Sequence, residues 1–227
     1  MIKIVRIHNE LLGTYGDQGN AEILAYRAGL AGIANEVVDI SYRDRIPDDG
    51  HIYLLGGAED AAQILSCDAL SGGALHKAVE TGATVLAICA GFQILGKSFF
   101  ANGVEHRGLG LLDMITVPGE KRYVGDIKIK SKVLGIELTG FENHGGATLL
   151  GSGLESFGTV IVGNGNGSSG VDGAVIGNIF GTYLHGPVLG RNPEFADLLL
   201  SRALGESIKI DNQFADQYAK LRRRVVK

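Results

Sequence analysis

The chain has 227 residues, of which 45% are hydrophobic and 20% charged, enough for one sizeable core and typical of a globular protein. A formal charge of −4 and a pI near 5.9 leave no broad basic field, so a nucleic-acid surface is excluded. Two cysteines, Cys67 and Cys89, build neither a disulfide framework nor a zinc site, and no metal site is expected.

The first residues, MIKIVRIHNELLG, read as a strand broken by Lys3, Arg6 and His8 and not as a leader, and no apolar run approaches the ~20 residues needed to cross a bilayer. The expectation is a protein of the reducing cytoplasm with no direct membrane insertion. Residues 2–7 are the first predicted strand. A turn-rich loop runs from Leu12 to Asn20, and residues 21–30 have helical composition with Asn20 as N-cap. Strands are expected at 36–41 and 52–55, the second ending in Gly56-Gly57. Residues 61–80 read as helix with an interruption at Gly72-Gly73, 84–88 as a β-type run stopping at Cys89, and 91–99 again as helix. Repeated β-α-β units predict an α/β fold: a mostly parallel sheet flanked by helices, with ligands at the carboxyl ends of its strands.

The second half has more glycine and shorter β patterns, at 124–129, 159–162 and 174–179. Gly163-Asn164-Gly165-Asn166-Gly167 reads as a turn or mobile loop, and it lacks the ending of a phosphate loop. Residues 180–184 form a strand ending at His185, and 193–204 a helix with Pro193 in its first turn. Residues 212–224 close the chain as helix, where the basic run Lys220 to Arg224 fits a solvated helix end. With no linker and no repeat, one domain is expected: a body over 1–205 and a helical extension of it over 206–227.

Chemistry concentrates at Cys89. The run Val85-Leu86-Ala87-Ile88-Cys89-Ala90-Gly91-Phe92-Gln93 places a cysteine between a buried strand and a helix, with small neighbours that let the turn close. That is the pattern of a nucleophile elbow. A helix N-terminus behind the sulfur favours thiolate, and the Ala90 N–H is free to hold an oxyanion. A buried core cysteine is the competing interpretation. Cys67, in Ile64-Leu65-Ser66-Cys67-Asp68, has no elbow and is read as structural. A thiol nucleophile needs a base that also protonates the leaving group. Of six histidines, His185 is best placed, leaving a strand into Gly186-Pro187.

Ala87-Ile88-Cys89-Ala90-Gly91-Phe92-Gln93 resembles the cysteine motif of class I, triad-type glutamine amidotransferases, and Gly181-Thr182-Tyr183-Leu184-His185-Gly186 resembles the histidine motif of the branch that includes cobyrinic acid amidases. Tyr15-Gly16-Asp17-Gln18-Gly19-Asn20, Gly56-Gly57-Ala58-Glu59-Asp60 and Gly140-Phe141-Glu142-Asn143-His144-Gly145-Gly146 are similar to one subfamily, the GatD-type glutaminase subunits of lipid II isoglutaminyl synthases. The resemblance implies a flavodoxin-like sheet with extra antiparallel strands in the second half. It implies Cys89 as nucleophile, His185 as base, Gly57 as a second oxyanion donor beside Ala90, Gln93 in the substrate pocket, and Arg122 on the substrate L-glutamine, where a guanidinium suits the α-carboxylate. It also implies a partner, a MurT-like ligase subunit that holds ATP and Mg²⁺ and amidates the D-glutamate α-carboxylate of the lipid II stem to D-isoglutamine; no cofactor is expected in this chain itself. One departure stands out: the family's usual Glu two residues after the histidine is Pro187 here. Asp17 and Glu142 both remain open as the group that orients the imidazole. Competing functions are a self-sufficient cysteine hydrolase, the amidase of a cobyrinic acid diamide synthase-like system, and a non-catalytic regulatory subunit. His144, in an expected Asn143-His144-Gly145 turn, is read as structural.

Overall fold

The computed structural model describes all 227 residues. The first half winds through β1 (Ile2–Ile7), the one-turn α1 (Asn9–Leu12), α2 (Gly19–Leu30), β2 (Asn35–Ile40), β3 (Ile52–Leu55), α3 (Asp60–Leu70), α4 (Ala74–Glu80), β4 (Thr84–Ile88) and the short α5 (Ala90–Ile94). Eight strands follow: β5 (Ser98–Ala101), β6 (Val104–Arg107), β7 (Met114–Ser131), β8 (Glu137–Leu150), β9 (Gly158–Val162), β10 (Val171–Asp172), β11 (Ala174–Ile176) and β12 (Ile179–Thr182). The chain closes with α6 (Val188–Arg191), α7 (Pro193–Leu204) and α8 (Gln213–Val225).

The strands form two sheets. In the first the order is β11-β12-β4-β3-β1-β2, with every pairing parallel except the β11–β12 hairpin. β3 and β4 are buried along their whole length, as central strands covered on both faces must be. One continuous apolar core runs from Ile4, Leu54 and Leu86 to Phe180, Phe195 and Leu199. In the second sheet the order is β10-β9-β7-β5-β6, and β8 pairs with β7 in a long antiparallel ribbon whose register shifts between Pro118 and Tyr123.

Local chemistry sets the element ends. Gly73, at φ +80°, separates α3 from α4 inside the stretch expected as one interrupted helix. Pro193 opens α7, Gly205 at φ +69° ends it, and the Asn212 side chain caps α8 by accepting from the Ala215 N–H. Asn20 does not cap α2, which begins at Gly19; its side-chain oxygen instead accepts from the Leu189 N–H at 3.0 Å and ties α2 to α6. The helix expected over 91–99 stops at Ile94, because the Lys97 N–H reaches the Met114 carbonyl and Ser98–Ala101 becomes a strand of the second sheet. Residues 143–145 are not a turn but part of β8. The 163–167 segment is pinned: the Glu142 carboxylate accepts from the Asn164 and Gly165 N–H groups, and the Asn166 side chain exchanges two hydrogen bonds with Gly173. α2 and α7 are joined by a buried ion pair, in which Arg27 reaches both Asp197 oxygens at 2.7 and 2.8 Å. No helix is long and apolar enough to cross a membrane.

Candidate active site

Four loops leave the carboxyl ends of neighbouring parallel strands. Beyond β1, Asp17 lies between the one-turn α1 and α2; Gly56-Gly57 follows β3, Cys89 follows β4 and His185 follows β12. The strand order therefore gathers on one rim residues that are up to 168 positions apart in sequence.

Cys89 has φ +51° and ψ −109°, a backbone conformation that costs an L-residue about 1–3 kcal/mol and persists only where its surroundings hold it. The surroundings do so. Its N–H donates to the Thr182 carbonyl of β12 and its carbonyl accepts from Gln93, both at 2.9 Å, while the Gly91 N–H donates to Gly56 at 3.1 Å. Gly91 has no room for a side chain, since a Cβ there would lie 2.8 Å from the Leu55 carbonyl oxygen. Cys89 is 5% exposed, yet it lines a cleft of about 320 Å³ together with Tyr15, Glu59, Gln93, Arg122 and Asn143. It is a buried elbow opening into a cleft. Cys67 differs: its thiol donates to the Arg107 carbonyl, and burial pushes its pKa up to about 11, so it stays protonated.

His185 is 2% exposed. Its Nδ1 is 2.8 Å from Asp17 Oδ2, and its ring lies 4.9 Å from the Tyr15 ring. Nε2 is buried with no hydrogen bond of its own; the Cys89 sulfur is near enough to act on the ring electrostatically, while its thiol points to the Asn143 carbonyl at 4.0 Å. Burial acts to lower the imidazole pKa, but the bond to Asp17 and the neighbouring sulfur outweigh it and raise the value to about 10. The ring is an imidazolium at neutral pH. With Nδ1 committed to Asp17, its remaining proton is presented on Nε2.

The structure thus separates the two carboxylates that sequence left level. Asp17 orients His185. Glu142 is committed elsewhere, accepting from Asn164 and Gly165, with His144 Nε2 at 3.7 Å. Burial would raise its pKa, but these hydrogen-bond donors hold it below the usual carboxylate value.

The oxyanion donors divide. The Ala90 N–H, first in α5, makes no hydrogen bond, as a donor waiting for charge should. The Gly57 N–H, in contrast, donates to Asp17 Oδ2 at 3.0 Å, so the oxygen that holds the imidazole also occupies this donor in the resting geometry. Gly57 packs beneath the base, and a Cβ there would sit 2.7 Å from His185 Cε1.

Gln93 lines the cleft, its side-chain oxygen accepting from Gln63 at 2.8 Å and its nitrogen donating to the Tyr183 hydroxyl at 3.1 Å. Arg122 stands on the bulged stretch of β7, where its Nε donates to Asn143 Oδ1 at 2.8 Å and Nη2 to the Tyr15 hydroxyl at 3.3 Å. His144 stacks on Tyr183 with ring centroids 3.7 Å apart, and its Nδ1 bonds the Gly146 carbonyl. Tyr15, Glu59 and Asn143 received no role from sequence, although all three lie in quoted motifs. The available signal was position, since Glu59 lies in the loop after β3 and Tyr15 in the turn-rich segment between α1 and α2.

Comparison with known proteins agrees with this geometry. Residues 3–193 match the family model of CobB/CobQ-like glutamine amidotransferase domains. The GatD subunit of lipid II isoglutaminyl synthase (glutamine-hydrolyzing) from Streptococcus pneumoniae is 36% identical over 219 residues, covering 93% of this chain and 84% of that protein. Its counterpart from Staphylococcus aureus is 39% identical over 207 residues, covering 89% and 84%. Among solved structures, PurLQS from Thermotoga maritima shares the fold, with a TM-score of 0.63 over 91% of this chain and 97% of that one at 16% identity. An elbow cysteine, a strand-end histidine and a family match spanning most of the sequence agree: the chain belongs to the CobB/CobQ-like glutamine amidotransferases.

Proposed function

We propose that this chain is the glutamine-hydrolysing subunit of a lipid II isoglutaminyl synthase, and that Cys89, His185 and Asp17 carry its chemistry. The observation that supports this most is the Asp17–His185 pair at 2.8 Å on the same rim as the Cys89 elbow, whose side chain lines a cleft. In the proposed reaction the Cys89 thiolate attacks the side-chain amide carbon of L-glutamine, and the Ala90 N–H holds the resulting oxyanion. A donor of this kind is worth roughly 3 kcal/mol in other enzymes. The imidazolium of His185 gives its Nε2 proton to the amide nitrogen as the C–N bond breaks, and ammonia leaves. Water then gives a proton back to Nε2 while its oxygen cleaves the thioester, releasing glutamate and restoring the thiolate. Asp17 keeps Nε2 aimed at the sulfur throughout and stabilises the charged ring. Arg122, at the cleft mouth, takes the α-carboxylate, and Gln93 stiffens the wall.

Ammonia is useful only beside an activated acceptor. The partner in this proposal is a MurT-like ligase subunit, which uses ATP and Mg²⁺ to activate the D-glutamate α-carboxylate of the lipid II stem and accepts the ammonia to form D-isoglutamine. Both subunits work in the cytoplasm, where ATP is supplied. The test is glutamate release from L-glutamine by wild type and Cys89→Ala, each alone and with the ligase subunit. Wild type is expected to respond to the partner and the variant to stay at background. Partner-stimulated turnover that survives in Cys89→Ala would remove the covalent mechanism.

A further inference from the structure

The cleft wall holds an arrangement that the hydrolytic chemistry does not use. The Tyr15 hydroxyl donates to Glu59 Oε1 at 2.6 Å and accepts from Arg122 Nη2 at 3.3 Å. A carboxylate and a guanidinium thus flank one phenol oxygen, and both line the cleft that contains Cys89. Neither is in an ion pair, although ion pairs occur at twelve other places in the chain. The other acid at this wall, Asp60, is already committed, accepting from the Asn102 N–H at 2.6 Å. Glu59 is therefore the carboxylate left to meet a cation here, as Arg122 is left to meet an anion.

An unpaired acid and an unpaired base, joined by a shared strut, match a ligand that carries both charges on one carbon. L-Glutamine has such an α-carbon. We propose that Glu59 receives the α-ammonium of glutamine while Arg122 receives its α-carboxylate, with the Tyr15 hydroxyl only bridging the two side chains in the resting geometry. This rests on the glutaminase function proposed above and adds a specificity determinant to it. With Cys89 at the amide end, the two charges give three fixed points, enough to select the L-configuration and to reject amides whose α-nitrogen is missing or acylated. Tyr15 remains neutral there: burial and its bond to Glu59 raise the phenol pKa to about 12, which keeps its proton on the strut.

Alkylation of Cys89 by iodoacetamide, followed by mass spectrometry of the full chain, tests this without relying on turnover. L-Glutamine and glutaramate, its analogue without the α-amino group, serve as protectants. For wild type, the half-protecting concentration of glutamine is expected to be about 10- to 100-fold below that of glutaramate, the range for a hydrogen bond to a charged group. In Glu59→Gln the two concentrations converge, because glutamine weakens while glutaramate does not. Tyr15→Phe, which removes the strut's hydroxyl but leaves the carboxylate, keeps most of the gap. A gap that persists in Glu59→Gln, or one that closes equally in Tyr15→Phe, overturns the assignment. Absence of protection by glutamine in wild type overturns the glutaminase function itself, and this inference with it.

Discussion

Asp17 gives one oxygen to two donors, the imidazole of His185 and the amide of Gly57, while its second oxygen is buried without a partner. An amide in place of that carboxylate keeps the shape but loses the charge that stabilises the imidazolium. Asp17→Asn is expected to lower kcat for glutamine hydrolysis by about 100-fold or more, by analogy with orienting carboxylates in other triads, measured as glutamate released per enzyme. The same contact predicts how stability depends on pH. The folded-state pKa of His185 is raised from 6.5 to about 10, so its contribution is present in full below about pH 6.5 and is lost as pH rises through 10. The urea midpoint of wild type should fall across that window, and Asp17→Asn should fall less, because it has less to lose. Sequence brought Cys89 and His185 to the rim because each follows a clear strand pattern into a small-residue turn. It could not rank Asp17 above Glu142, because the choice depends on which loop closes over the imidazole, and spacing carries no record of that.

Elements were legible where burial alone decides them. Residues 52–55 and 85–88 are continuous apolar runs, and both became central strands. They were misread where two neighbours compete for one segment. Residues 95–99 have helical composition, but pairing with the second sheet overrides so weak a local preference. Asn143-His144-Gly145 was expected as a turn but runs on as strand, where the next residue, Gly146, clears space for the Thr116 methyl, which would lie 2.6 Å from a Cβ there. Gly181 of β12 is the severest case, since a Cβ would fall 2.0 Å from the Phe92 ring of α5. Gly181→Ala is expected to destabilise the fold by about 1–3 kcal/mol, the usual range for overpacking, and to lower turnover, since Phe92 sits in the helix that carries the Ala90 donor. Chemical denaturation and glutamate release on the same sample check both effects.

For the molecule as a whole, the proposed partner has a task that the resting geometry defines. With the Gly57 N–H occupied by Asp17, the isolated chain has one oxyanion donor free instead of two. Adding the ligase subunit is expected to raise kcat by about 100-fold with little change in KM, the effect of recovering one such donor. Steady-state kinetics with and without the ligase measure it, and stimulation confined to KM would count against this account. The parallel sheet could be read from sequence because each β-α-β unit is local. The second sheet was not laid out by the residues alone, because the glycines within β7 and β8 resemble turns although these two consecutive strands form one ribbon. Phe141 of β8 and His185 exchange both backbone hydrogen bonds, at 3.1 and 2.8 Å. The same ribbon reaches the nucleophile, because the Cys89 thiol points to the Asn143 carbonyl of β8 at 4.0 Å while its N–H is tied to Thr182 of β12. Acid and sulfur are therefore braced by one ribbon, and flexing it moves the wall against which both are set.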